Sequence, residues 1–294
     1  MKIAISAEST IDLPQELLHQ YDIHTIPFTL IMGEQEGADG KILPEDLFAY
    51  TERTGKLART SAINEFQYVE YFQTLRKEYD YVIHFALSSK ISSACSHAKA
   101  AAKEVEGVYV IDSLSLSTGI ALQAIYASRL AKAGKTPEEI VAAVEPRVGA
   151  TQASFSLESV NYLYKGGRCS MLKMLGANLL KLKPEIYVKD GAMGPGAKYR
   201  GPMIKVVDQY IQDTLRDYSN YDTEVAFVTY STAPKDVVEL AKKSLEKAGF
   251  KTIYVTRAGG TISCHCGPHC LGVLYFNDGP HPVELLNKQV ISKM

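Results

Sequence analysis

The chain has 294 residues, 46% hydrophobic and 22% charged, with 32 Lys and Arg against 33 Asp and Glu. That length suits one large domain or two ordinary ones with a full core. The balanced charge excludes a global field that would draw nucleic acid or an anionic membrane. The opening MKIAISAESTIDLP holds no apolar run long enough for a signal peptide, and no stretch approaches the roughly 20 apolar residues of a membrane helix. The five cysteines make a poor disulfide framework. The reading is a reduced, soluble, cytoplasmic protein.

In chain order, KIAIS (2–6) and HTIPFTLIM (24–32) read as strands, with a helix between them starting at Pro14. PEDLFAYTER (44–53) is helical, its proline suited to a first turn. NEFQYVEYFQTLRKEY (64–79) is a helix with Asn64 and Gln67 as a capping pair. YVIHFAL (81–87) has the near-continuous apolar run of a buried parallel strand. A helix from SSACSHAKAAAKEV, the strand VYVID (108–112) and a long Ala- and Leu-rich helix at about 116–133 follow. This βαβα rhythm predicts a parallel sheet with helices on both faces.

After a helix in 133–148 the texture changes. ATQASFSLES alternates, KGGRCS is a glycine turn, and KPEIYVKDGAMGPG reads as a hairpin turning at Asp190-Gly191. A helix near 202–218, the strand 223–230, a helix near 234–248, and the strands 251–256 and 270–276 complete a second α/β unit with a mixed sheet. The expected division is 1–150, 151–280 and a C-terminal tail, 281–294.

Three segments place hydroxyls where a helix should begin: ARTSAIN (58–64), LSSKISSACS (87–96) and DSLSLSTG (112–119). The last two follow apolar strands, so they lie on the carboxyl edge of the sheet, where open α/β sheets bind ligands. Unpaired helix N–H groups and flanking hydroxyls suit a carboxylate or phosphate, although helix capping alone would account for any single cluster. No phosphate-binding loop, dinucleotide fingerprint or nucleophile elbow occurs. Lys165-Gly166-Gly167-Arg168 is a tight turn presenting a guanidinium fork to an anion or to solvent. Cys264, Cys266 and Cys270 lie among His265 and His269, but C-x-C-x₃-C matches no common zinc spacing. An enzyme using the Ser/His cluster, or a metal- or redox-responsive protein using these cysteines, stays open.

At this point the chain resembles the DegV family of fatty-acid-binding proteins, over nearly its whole length. The family's D-S-T-x-D-L-P reads Glu8-Ser9-Thr10-Ile11-Asp12-Leu13-Pro14, and its T-S-x-P reads Thr60-Ser61-Ala62-Ile63. Its S-S-x-L-S-G-T reads Ser88-Ser89-Lys90-Ile91-Ser92-Ser93-Ala94, and D-S-x-x-x-S-x-G is met by Asp112, Ser113, Ser117 and Gly119. Tyr162 to Ser170 follow Y-L-x-K-G-G-R-I-S, with Cys169 for the isoleucine, and Arg200 falls where the family carries an arginine. The closing H-x-G-P-G-x-x-G reads His265-Cys266-Gly267-Pro268-His269-Cys270-Leu271-Gly272.

The resemblance implies a two-domain lipid carrier with no cofactor and no catalytic residue of its own. A long-chain fatty acid would lie between the domains, its carboxylate among Thr60, Ser61, Ser92, Ser93 and His265. Ser117, Arg168 and Arg200 would be further head-group or partner contacts. In the family's kinase system a separate ATP-binding subunit phosphorylates the bound acid, so such a subunit is a possible partner, and membrane contact would be transient at most. The cysteines stand outside the family pattern.

Overall fold

The computed structural model describes residues 1–169 and 182–280. The expected tail 281–294 and Ser170 of the glycine-turn motif lie outside the described residues. A four-stranded sheet runs in the order Ile23–Ile26, Ile3–Glu8, Tyr81–Ala86, Val108–Asp112, all parallel. Ala4, Ile5, Ala7, Val82, Ile83 and Phe85 are buried, as strands covered on both faces must be. The helices Glu65–Arg76 and Ala94–Glu104 pack together against this sheet, and Thr118–Lys132 and Pro137–Val148 form a second pair against it. The asparagine at position 64 and Gln67 form the predicted reciprocal cap, each side chain 2.9 Å from the other's backbone N–H.

The second sheet has six strands in the order Ala192–Tyr199, Lys183–Lys189, Thr151–Ser156, Leu271–Phe276, Val225–Tyr230, Thr252–Arg257. Only the last pair is parallel, so the sheet is mixed. Asp190 and Gly191 both take positive φ, 50° and 80°, the backbone that a two-residue hairpin turn requires. Thr118–Lys132 touches strands of both large sheets. Its Ala-rich composition allows that: Ala121, Ala124 and Ala127 are fully buried. The architecture is α/β with two domains.

Two expectations need correction. The segment 24–32 is not one strand: Ile23–Ile26 belongs to the parallel sheet, while Thr29–Met32 joins a small antiparallel sheet with Gln35–Ala38 and Arg59–Ser61. Pro27 has no N–H to continue a ladder, and the Phe28 N–H turns instead to Ser9 Oγ at 3.1 Å. Thr60 and Ser61, paired with Leu30 and Thr29, accordingly sit on a strand rather than at a helix start. The second correction is an added helix, Gly260–Cys266, in the cysteine-rich stretch.

That helix is held from a distance. Asp12 Oδ1 accepts the Gly259 N–H at 2.7 Å, and Asp39 accepts those of Gly260 at 2.7 Å and Thr261 at 3.1 Å. Two carboxyl groups from the first half thus satisfy amides that a helix start leaves open. Burial pushes the Asp12 carboxyl up to about 8, against the pull of its donors Ser117 and Gly259. A second tie between the halves is Arg147. Its guanidinium donates to Asp222 at 2.8 Å and twice to Asp278 at 2.9 Å, and it lies 3.8 Å from the Phe276 ring centre.

Candidate functional site

Between the halves lies a cavity of about 630 Å³. Phe28, Leu116, Phe155, Met193, Ile262 and Leu274 give it an apolar body. Among the hydroxyls that line it are those expected: Thr60 and Ser61 from the small sheet, Ser92 and Ser93 from the loop before Ala94–Glu104, and Ser117 before Thr118–Lys132. Arg168 and His265 also line it. Arg200, exposed after the strand Ala192–Tyr199, is not among the lining residues.

The serine loop is fixed by acceptors on neighbouring elements. Glu8, fully buried, accepts the Leu87 N–H at 2.9 Å and the Tyr68 hydroxyl at 2.7 Å. Asp112 accepts the Ser89 N–H at 3.2 Å, and Ser88 Oγ donates to the Gly191 carbonyl of the hairpin turn at 2.7 Å. Ser92 Oγ accepts the Ala94 N–H at 3.1 Å, which leaves its own hydrogen to donate elsewhere. Ser117 differs: its hydroxyl donates to Asp12, and its φ of 52° is strained for a serine. It belongs to the wall and anchors Asp12.

His265 Nε2 lies 2.9 Å from Thr60 Oγ1, so the small sheet and the short helix meet at this bond. A Cβ at Gly166 would come 2.7 Å from His265 Nδ1; the first glycine of the Gly-Gly turn is therefore required by close approach to the ring. Burial, and secondarily the Arg168 guanidinium, push His265 down to about 4. The imidazole is neutral at pH 7, a hydrogen-bonding group and not a counter-ion. Positive charge at the cavity comes instead from Lys90 and Arg168, both exposed, the latter with Nη1 donating to the Gly166 carbonyl at 2.7 Å.

The sign of the resulting pH effect follows. Between about 4 and the ordinary 6.5 the unfolded chain binds a proton at His265 that the folded chain refuses, so this residue makes stability fall as pH falls through that window. Urea unfolding at pH 7 and pH 4.5 should show His265→Gln losing less stability than the wild type on acidification. The comparison isolates His265 from Asp12, whose raised value acts with the opposite sign. Equal losses in both proteins would place the imidazole in a solvated, ordinary environment.

The cysteines are all buried thiols. Cys264 Sγ donates to the Ala58 carbonyl at 3.2 Å, while Cys266 and Cys270 line the cavity. Burial pushes Cys264 up to about 12, and the Cys266 side chain holds Cys270 well above the usual thiol range. Such thiols make poor nucleophiles and ligands. Among the described residues no three His, Cys, Asp or Glu are grouped to hold a metal ion, and no helix is long and apolar enough to cross a membrane. Sequence reading missed Thr229, Ser231 and Thr261 in the cavity wall; strand ends and an unforeseen helix bring them there, and no local motif marks them.

A family model described as "Uncharacterised protein, DegV family" matches residues 2–278. A Thermotoga maritima protein described as a fatty acid-binding protein is 28% identical over 280 residues, covering 92% of this chain and 96% of its own. The crystal structure of a DegV lipid-binding protein from Thermotoga maritima is similar with a TM-score of 0.84 at 27% identity, over 96% of this chain and 100% of that one. That of DegV, a fatty acid binding protein from Bacillus subtilis, is similar with a TM-score of 0.83 at 26% identity, over 94% and 99%.

Proposed function

This chain belongs to the DegV family, and from that premise we propose that it is a cytoplasmic carrier of one long-chain fatty acid, held between units 1–150 and 151–280. The observation that carries the reading is the cavity itself. Its volume of about 630 Å³ lies within the roughly 300–1,000 Å³ of ligand pockets, and it joins an apolar body to a hydroxyl cluster. An acyl tail gains about 0.8 kcal/mol per buried CH₂, whereas a buried carboxylate is costly unless it is hydrogen-bonded. Thr60, Ser61, Ser92 and Ser93 supply the donors, with neutral His265 beside them. The relatives named above are described as fatty-acid- or lipid-binding proteins, which favours a carrier over an enzyme.

The carrier would present its carboxylate to a separate ATP-dependent kinase subunit. Arg168 supports this: it is exposed, it lines the cavity, and it donates to a carbonyl two residues away. Arg200 would serve the partner surface, since it stands outside the cavity. Arg168→Ala should leave Tm nearly unchanged, as exposed charges contribute little to stability. Acyl-phosphate formation with the kinase subunit should fall by about tenfold, the worth of one charge-assisted contact. A large fall in Tm with intact coupling would make Arg168 a structural residue.

A further inference from the structure

The helix Gly260–Cys266 has seven residues, and the residue before it, Gly259, offers no side chain to cap it. So short a helix holds little structure on its own, and its open first-turn amides need acceptors from elsewhere. Asp39 serves two of them, at Gly260 and Thr261, and accepts the Ser9 hydroxyl at 3.0 Å as well. It is buried, and it is not among the residues that line the cavity. At the other end of the same helix, His265 meets Thr60 at 2.9 Å. Both grips come from one body. Asp39 follows the strand Gln35–Ala38, Thr60 lies on Arg59–Ser61, and Leu30 on the strand between them pairs with Gly37 and Thr60. Between the grips, a Cβ at Gly260 would collide with the Leu30 side chain, and Cys264 donates to the Ala58 carbonyl.

We propose that Asp39 is a positioning residue of the head-group site: by fixing the start of Gly260–Cys266 on the small sheet, it sets His265 against Thr60. Hydrogen bonds lie between about 2.7 and 3.2 Å, so a slide of the helix by ~1 Å would undo that contact. The ring has little room to compensate, because a Cβ at Gly166 would already stand 2.7 Å from its Nδ1. The effect is confined to the charged end of the ligand. His265 and Thr60 belong to the carboxylate cluster, whereas Phe155, Met193 and Leu274 of the apolar wall stand on the six-stranded sheet.

The assignment rests on the fatty-acid reading, and one set of titrations separates the two. Delipidated protein is titrated with octadecanoic acid and with octadecanol. Asp39→Asn keeps the side-chain size but replaces one acceptor oxygen by a donor. Affinity for the acid should fall about tenfold, and affinity for the alcohol by no more than about threefold. In a His265→Ala background the same substitution should cost the acid no more than about twofold, since residues that act through one contact are not additive. Equal losses for acid and alcohol, or an undiminished loss in the His265→Ala background, would make Asp39 a residue of the fold alone, and the carrier would stand. If Asp39→Asn is too unstable to titrate, Ser9→Ala, which removes the hydroxyl donor to Asp39, carries the same test at severalfold size, and the same two results overturn the assignment. If the wild type takes neither octadecanoic acid nor octadecanol, the carrier reading itself fails and the assignment falls with it.

Discussion

Ser61→Ala and Ser92→Ala should each weaken long-chain fatty-acid binding by about tenfold or more, because a hydrogen bond to a charged group contributes roughly 1.5–3 kcal/mol. The two serines come from different elements, the end of the small sheet and the loop held by Glu8 and Asp112. Only a common ligand group gives them a common effect. Ser92→Ala also removes the contact with the Ala94 N–H, a cap loss of ~1 kcal/mol, so folding must be checked by Tm. Ser61 is exposed at its strand end, and its replacement should be silent in stability. A fatty alcohol of equal length should be much less sensitive to either change, since it lacks the charge that the donors serve. Wild-type affinity in both variants would move the carboxylate elsewhere.

Arg147→Met should destabilise the protein by about 3–5 kcal/mol, the range for removing one partner of a buried ion pair. Asp222 would keep a buried carboxylate with no counter-charge, and Asp278 would lose both of its bonds to the guanidinium. Methionine can still pack against Tyr126 and Phe276, so the loss reports charge rather than a cavity. For a chain of this size each 1 kcal/mol moves Tm by ~2–4 °C, and a fall of roughly 10 °C is expected. Replacing Asp222 by Asn together with Arg147→Met should recover part of it. A shift within 2 °C of the wild type, on the scale of surface substitutions, would mean that the pair is solvated and does not tie the halves.

The regular elements were legible because their signals are local. The apolar run at 81–87, the Asn64–Gln67 cap and the Asp190-Gly191 turn each specify their element within a few residues, and each is present in the structure. Of the cavity wall, the hydroxyl clusters, the glycine turn and His265 were legible. What escaped depends on distant partners. Gly260–Cys266 is a helix because Asp12 and Asp39, more than 200 residues earlier, hold its first amides. Pro27 divides one apolar run between two sheets, and periodicity alone does not show a change of sheet. The Thr60–His265 bond spans 205 residues.

The carrier reading is tested most directly by denaturing mass spectrometry of protein purified without added lipid. One long-chain fatty acid per chain is the predicted result, released on unfolding and absent from an Arg147→Met sample unfolded and washed beforehand. Protein that releases no lipid, and that takes up no octadecanoic acid after delipidation, would contradict it.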